Sequence, residues 1–559
     1  MPEFPEPRTP LAYVYDRERD EPDRVFLRQP VNREFNDYTW GRLADEARRL
    51  ARALQSMGIG PGDRVAIFSK NCAEWFVADL AIMMADCISV PLYSTANETT
   101  ISHIFEHSGA KAAFVGKLDD WSNQVNGFPE HVIRIAMPYL LADCQYQWND
   151  LLETFEPIEG NPEPDIDQTM TLIYTSGSTG KPKGAVHSYR NFVFAGQRIG
   201  YLMGTRPDDR ILSYLPLAHC TERAYVEATT LIHGGTVHFA ESLETFTDDM
   251  LKTQPTMFGS VPRLWKRFQL GVLEKMPEEK INRLLKWPIL RGVVRKKIRA
   301  ALGLGACRWL MSGSAPIAPT LLNWWARLEM PIAEGWGMTE SLAYGTTLKV
   351  GDKIRVGSIG KAAPDTDVRI SDDGEIQIRT GCLMQGYYND PEKTNETFTD
   401  DGFLRTGDCG EIDSDGYIFI TGRVKDIYKT AKGKYVAPVP IESQIVRNKD
   451  IEQACLIGSG MKQPVALIEL AETAASIDRQ ALTDRLEETL TMVNQALESH
   501  ERIDRFVVVK DPWTVENGLL TPTLKIKRHA LEAHYGERIR AKFDARVVFE
   551  ADSKIEAAG

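Results

Sequence analysis

The 559-residue sequence has no Cys-x-x-Cys pair, no uncharged apolar run long enough to span a bilayer, no internal repeat and no low-complexity tract. Its eight cysteines (72, 87, 144, 220, 307, 382, 409 and 455) lie far apart, which suits reduced thiols in a cytosolic compartment better than a disulfide framework. Basic residues are also in the minority. Lys and Arg number 66 against 78 Asp and Glu, a formal charge of -12, so the basic footprint of a general nucleic-acid binder is missing. The amino-terminal stretch is acidic and rich in proline where an export signal would be basic and then apolar. The most apolar stretch, 75–92, contains Asp79, Asp86 and Pro91, and reads as a buried helix running into a strand.

What is present describes a globular protein. Hydrophobic residues make up 43% of the chain, and its length predicts roughly three to five packing units. The periodicity predicts a helix over 43–57 stopped at Gly58, a strand over 64–68, a helix over 73–84, a helix ending at 103–109 and a strand over 111–115. This alternation is α/β layering. After about residue 351, short strands separated by Asp-Gly turns predict a β-rich subdomain over 351–424. The tail reads as a small α+β domain, with strands at 454–457 and 465–470, a helix over 479–499 and a last helix from about 528.

Two segments carry competing readings. His103-Ile104-Phe105-Glu106-His107 matches the H-x-x-E-H signature of some zinc peptidases, but it runs into a helix end without an evident third ligand and reads as an ordinary surface helix. Residues 283–299 hold seven Lys or Arg, no acid, and Trp287 among aliphatic neighbours. A solvated basic face packed by its apolar side is the commoner meaning of such a stretch, and peripheral contact with an anionic membrane is the alternative. Pro288 and Gly292 are expected to interrupt a continuous helix there.

The strongest local signal is YTSGSTGKPKG at 174–184, which follows an apolar run. Glycines turn backbone N–H groups toward an anion, hydroxyls add donors and lysines add charge, so the composition suits a polyphosphate cradle over a plain hairpin turn. It is not a Walker A loop. Thr175 stands where that motif needs glycine, and Pro182 follows Lys181 where it needs Ser or Thr.

These residues resemble the phosphate loop of the adenylate-forming superfamily, which includes acyl-CoA synthetases, luciferases and peptide-synthetase adenylation domains. Further motifs follow in that family's order: LPLAHCTER at 215–223, GSAP at 313–316, GWGMTE at 335–340, TGD at 406–408, GRVKD at 422–426 and LTPTLKIKR at 520–528. The resemblance covers roughly residues 35 to 535. It implies that Thr175, Ser176, Gly177, Ser178, Thr179, Gly180 and Lys183 bind the phosphates of ATP, and that Gly313, Ser314, Ala315, Gly335, Gly337 and Met338 line the nucleotide. Trp336 stands where most relatives stack a tyrosine on adenine, and an indole face can do the same. Without the family a lone Trp would more often be core.

The resemblance makes Asp408 the acceptor of the ribose hydroxyls, with Arg423 a donor nearby; read alone, Asp408 is a turn residue. Glu340 is a natural magnesium ligand, since that ion takes one or two carboxylates plus phosphate oxygens. A dipole-stabilised Glu at a helix start is the alternative. Lys525 matches the lysine that reaches the substrate carboxylate and the α-phosphate, with Lys527 its rival and Leu524 where many relatives have glycine. Thr339 and His219 fall in the motifs that surround the reacting groups. Lys425 is implied as a hinge, and Lys432 and Gly433 as part of the coenzyme A path.

The expected protein is therefore α/β, with a large amino-terminal domain (1–424) of layered α/β subdomains plus a β-rich subdomain, and a small mobile α+β carboxyl-terminal domain (425–559). The expected reaction activates a carboxylic acid with ATP and magnesium to an acyl-adenylate, and passes the acyl group to coenzyme A. LPLAHCTER, VPRLW at 261–265 and LTPTLKIKR look like the long-chain branch, so a medium- or long-chain fatty acid is the expected substrate. The alternatives are an acyl-AMP ligase that loads a carrier protein and a non-catalytic nucleotide-binding protein. Small molecules, not nucleic acids, are the expected partners. The expected location is the cytoplasm, with the inner face of a membrane as a peripheral site.

Overall fold

A five-residue strand, Arg64–Phe68, buries every side chain after its first, because it lies inside a sheet covered on both faces. The computed structural model of the chain describes residues 3–139, 144–175, 181–515, 517–521, 525–541, 543 and 545–552. In it this strand belongs to an eight-stranded sheet ordered Gly386–Tyr387, Lys183–Ser188, Thr169–Thr175, Ile88–Leu92, Arg64–Phe68, Ala112–Val115, Ile133–Ala136, Tyr146–Gln147. The strands from Thr169–Thr175 onward are parallel, and the first two pair antiparallel. The helices Trp40–Ser56 and Ala73–Met84 pack on one another against it. Thr39 caps the first of these through the N–H of Arg42, and Gly58 turns the chain away with a φ of +78°. The second is buried on every side, as an all-round apolar helix must be.

Two further sheets complete the α/β layers. One is ordered Arg210–Ser213, Thr236–Phe239, Val25–Val31, Glu34–Thr39; the other is the parallel trio Met257–Ser260, Trp309–Ser312, Ala333–Glu334. The β-rich region forms the antiparallel sheet Thr366–Ile370, Glu375–Thr380, Leu404–Ile412, Ile418–Arg423. Its Asp-Gly turns lie where alternation places them, with Gly374 and Gly416 at φ +81° and +82°. After residue 427 the chain builds a sheet of its own, Ile451–Ile457, Val465–Leu470, Phe506–Val508, Val547–Phe549, with separate hydrophobic cores.

Four expectations need correction. Strand Gly386–Tyr387 leaves the β-rich region and pairs with Lys183–Ser188, carrying Tyr387 to the phosphate-loop strand. The helix expected over 479–499 ends at Gln495. Pro288 starts a new helix, Pro288–Ala301, but Gly292 lies inside it without interrupting it. The H-x-x-E-H helix is not a plain surface element: the His103 ring bonds the Pro182 carbonyl at 2.9 Å and the His107 ring the Tyr174 hydroxyl at 2.8 Å, so it braces both ends of the phosphate loop.

Candidate functional site

Strands Met257–Ser260, Trp309–Ser312 and Ala333–Glu334 end side by side, and loops leaving their carboxyl ends open a cleft. Ligands bind at such ends in open α/β sheets because the loops diverge there. The walls are of two kinds. Met203, Ile211, Leu212, Val226, Met257 and Phe258 are apolar, whereas His219, Gly313, Ser314, Gly335, Trp336, Gly337, Met338, Thr339 and Lys525 bring polar side chains and backbone.

Local geometry fixes the polar wall. Ser314 holds a left-handed φ of +66° at the bend after its strand, a strained conformation costing about 1–3 kcal/mol that persists where a site requires it. At Gly337 a Cβ would stand 2.2 Å from the Ala343 carbonyl carbon, so only glycine fits. Trp336 bridges to Thr346 through its backbone and lays its ring on Gly345. Its Nε1 donates to Asp408 Oδ2 at 2.8 Å, while Arg423 Nε meets Oδ1 at 2.8 Å. Asp408 is buried and both its oxygens are engaged, yet each keeps a second lone pair for a ligand hydroxyl. Ala315 continues the loop as an exposed residue and does not line the cleft.

Thr339 is held twice: its carbonyl accepts from the His187 ring at 2.8 Å, and its hydroxyl donates to Cys220 Sγ at 3.5 Å. His219 caps the short helix Cys220–Glu222, its Nδ1 accepting the Thr221 N–H at 3.2 Å. Burial and the neighbouring Lys525 charge push the imidazole down to about 4. The ring is therefore neutral at pH 7, with Nε2–H left as a donor.

Lys525 enters from the carboxyl-terminal unit on a turn closed by the Leu520–Ile526 bridge. The residue is exposed at the cleft, yet protein surrounds its ammonium closely enough to lower its pKa. Burial is the main cause and the Arg423 guanidinium the next, opposed by Cys220, Asp408 and Glu340.

Glu340 lies just behind the wall, buried, accepting the Tyr387 hydroxyl on Oε1 at 2.6 Å. A single carboxylate with a spare oxygen fits magnesium, which completes its shell with phosphate and water oxygens. Tyr387 also lies under the Lys183 ammonium, 5.6 Å from ring centre to nitrogen, and Lys183 pairs with Asp390 at 3.4 Å. Sequence reasoning missed Tyr387 and Asp390; the aromatic pair and acid in GYYND at 386–390 were the available signal.

Glu222 was missed too. It lines the cleft, accepts from Ser213 Oγ at 2.7 Å and Tyr214 N–H at 3.1 Å, and burial raises it to about 8. Its neighbour Arg223 is fully buried between Asp79 and Glu227, at 3.0 and 3.1 Å. It anchors the turn that presents Tyr225 and Val226 to the cleft.

Other expected residues lie elsewhere. Thr175 ends its strand, and Ser176, Gly177, Ser178, Thr179 and Gly180 fall outside the described residues, as does Leu524. Lys425 occupies an exposed turn directly after strand Ile418–Arg423. Lys432 and Gly433 form the exposed tip of the hairpin Tyr428–Lys429/Tyr435–Val436, with Gly433 at φ +74°, and neither lines the cleft.

Comparison with known proteins places this geometry. The long-chain-fatty-acid–CoA ligase FadD15 of Mycobacterium tuberculosis is 29% identical, over 95% of this chain and 96% of its own length. Long chain acyl-CoA synthetase 7, peroxisomal, of Arabidopsis thaliana is 28% identical, over 90% and 81% respectively. Among solved structures, ATP-bound MatB from Rhodopseudomonas palustris superposes with a TM-score of 0.75 at 23% identity, covering 95% of this chain and 99% of that one. Residues 15–388 match the family described as AMP-binding enzyme and residues 425–547 its carboxyl-terminal domain, in that order along the chain. A single sequence thus carries the cleft and the lysine that enters it from the tail, and the chain belongs to the AMP-binding enzyme family.

Proposed function

We propose that the chain is a fatty-acid–CoA ligase that couples ATP cleavage to AMP and pyrophosphate with thioester formation. The observation that carries this reading is the cleft itself, where Lys525 meets Thr339 and His219 beside an apolar wall suited to an acyl chain. The names of its relatives in Mycobacterium and Arabidopsis support a long-chain acid.

In the first step a carboxylate oxygen bonds to the α-phosphorus of ATP and the bond to pyrophosphate breaks. The Lys525 ammonium faces the charge that builds there; a polyanion in the cleft favours the protonated form that burial disfavours. Asp408 and Arg423 hold the ribose, Trp336 flanks the base, and Thr175, Lys183 and the loop between them hold the phosphates. Magnesium on Glu340 would neutralise phosphate charge. In the second step the coenzyme A thiolate bonds to the acyl carbonyl carbon and AMP leaves. Between steps residues 425–559 turn about Lys425, which withdraws Lys525 and brings Lys432 and Gly433 toward the thiol path. The arrangement described here, with Lys525 in the cleft, is the adenylating one.

Thioester formation assayed over saturated acids of increasing chain length, with and without ATP and coenzyme A, tests the reading. Product that requires both nucleotides and rises with chain length supports it; acyl transfer to a carrier protein but not to coenzyme A contradicts it. Tyr387→Phe removes the hydroxyl that orients Glu340 while keeping the ring beneath Lys183. Loss of such a partner behind a metal ligand typically costs 10- to 100-fold. Pyrophosphate exchange titrated with magnesium should show that loss, with a higher magnesium requirement and a melting temperature near the parent's.

The reading extends to where the acid is collected. Among the described residues no helix is long and apolar enough to cross a membrane, but the start of helix Pro288–Ala301 leaves Trp287 63% and Ile289 84% exposed, beside exposed Leu290 and Val293. Exposed Arg283, Lys286, Arg291, Lys296 and Lys297 surround them. Arg295 does not join this face, being turned to the Arg327 carbonyl and Glu329. Val294 and Ile298, on the helix's other side, share a core with Phe258 and Leu212 of the cleft. Basic residues at an anionic surface contribute about 1 kcal/mol each. The enzyme should therefore sediment with anionic vesicles at low salt, weakly with neutral ones, and lose binding in a Trp287→Ser, Lys296→Glu, Lys297→Glu variant. Binding indifferent to lipid charge, salt and the triple change would remove the proposal.

A further inference from the structure

Helix Pro262–Lys275 begins one residue after the cleft-lining strand Met257–Ser260 and points its two sides at different partners. Trp265 faces inward, fully buried, and its Nε1 donates to the Met311 carbonyl at 3.0 Å, fixing the helix to the central strand of the cleft. Arg263 and Lys266, three residues apart and so on one face, reach the carboxyl-terminal unit instead. Lys266 Nζ donates to the Ile451 carbonyl at 3.0 Å and lies 3.7 Å from Glu452 Oε2, and Arg263 Nε lies 3.3 Å from Glu452 Oε1. Lys266 and Glu452 keep only 22% and 21% of their side-chain surface exposed, against 60% for Arg263. All three contacts end at the first two residues of the strand Ile451–Ile457.

We infer that Arg263 and Lys266 with Glu452 form a latch that holds the carboxyl-terminal unit in the arrangement that keeps Lys525 in the cleft, so that opening the latch is part of the passage from adenylation to thioester formation. The inference rests on the two-step reading above. These side chains lie on neither the nucleotide loops nor the cleft lining, so their effect runs through the position of Lys525, and they are positioning residues. A partly exposed ion pair shifts an equilibrium modestly, about 1.5- to fivefold on the usual scale for such pairs, and the exposure of Arg263 makes the effect weaken as salt rises. An electrostatic latch of that strength can be released in each cycle, which a large apolar interface would resist.

The test uses the full chain and separates the half-reactions: pyrophosphate exchange for adenylation, and coenzyme A consumption from supplied acyl-adenylate for the second step. Glu452→Gln and Lys266→Gln should each slow exchange about 1.5- to fivefold. Thioester formation should be equal to the parent's or faster, with an unchanged melting temperature, and Glu452→Asp should recover part of the exchange rate. The double variant should lose less than the product of the two singles, because both substitutions remove the Lys266–Glu452 contact while each also removes one of its own. Equal slowing of both half-reactions, or a double variant that falls by the product of the singles, would overturn the latch. If exchange responds in this way but the parent makes no thioester from any acid, the hold on Lys525 stands while its link to a second step, and the assignment of coenzyme A as acceptor, fail.

Discussion

Replacing Lys525 with alanine should slow pyrophosphate exchange about 100-fold or more, the usual scale for removing one donor that faces charge developing in a transition state. The expectation follows from placement. Lys525 lines the cleft with Thr339 and His219, and its ammonium is the group that burial and Arg423 disfavour and an incoming polyphosphate favours. The turn that carries it is closed by backbone contacts between Leu520 and Ile526, which do not depend on its side chain, so the fold should survive. Thioester formation from supplied acyl-adenylate should be nearly unchanged, since on the proposed two-step reading that step proceeds with Lys525 withdrawn. If both half-reactions fall alike, Lys525 is a structural residue or its role belongs to Lys527.

The second large effect is expected at Lys425. It lies in the turn that follows strand Ile418–Arg423, where the Val424 N–H is held by the Gly407 carbonyl and the Asp426 N–H by Arg423. A hinge there needs φ to change at a residue whose side chain is free of the packed interior, and Lys425 is exposed. Proline locks φ near -65° and removes the N–H, so Lys425→Pro should trap one arrangement. With the arrangement seen here trapped, adenylation is largely retained and thioester formation is lost by two orders of magnitude or more, the scale on which a misplaced catalytic constellation loses rate. Retention of both activities would remove the hinge.

How far these features were legible before the structure depends on the range of the interaction that creates them. Strand Arg64–Phe68 and helix Ala73–Met84 fall at the expected boundaries because burial on both faces leaves a continuous apolar run, and the Gly58 stop and Asp-Gly turns are set by their own backbone angles. Strand Gly386–Tyr387 was illegible. It is two residues long and exists only because Lys183–Ser188 lies beside it, some 200 positions earlier in the chain. Gly292 was over-read as a helix breaker, since a glycine inside a helix costs only about 1 kcal/mol and the packing of Val294 and Ile298 outweighs it.

The candidate site divides in the same way. The motifs named Trp336, Asp408 and Arg423 separately, but the Trp336–Asp408 hydrogen bond joins residues 72 apart, and no local pattern announces it. Glu340 was chosen for its carboxylate, whereas the Tyr387 hydroxyl that orients it comes from 47 residues away. Glu222 is only one letter of LPLAHCTER in the sequence, and its raised pKa follows from burial that a sequence does not display. The latch is the extreme case. Lys266 and Ile451 are 185 residues apart, and neither belongs to a motif.

The central claim is that one cleft makes an acyl-adenylate and then a thioester, and it is tested most directly by following the bound acyl group through both steps. The enzyme is mixed with ATP, magnesium and a long-chain acid in amounts close to its own concentration, quenched before and after addition of coenzyme A, and analysed by mass spectrometry. Acyl-adenylate and pyrophosphate should appear first in near-equal amounts, and coenzyme A should then convert the acyl-adenylate to acyl-CoA with release of AMP. Formation of acyl-CoA with ADP and phosphate in place of AMP and pyrophosphate, or an adenylate that persists unchanged when coenzyme A is added, would contradict the account.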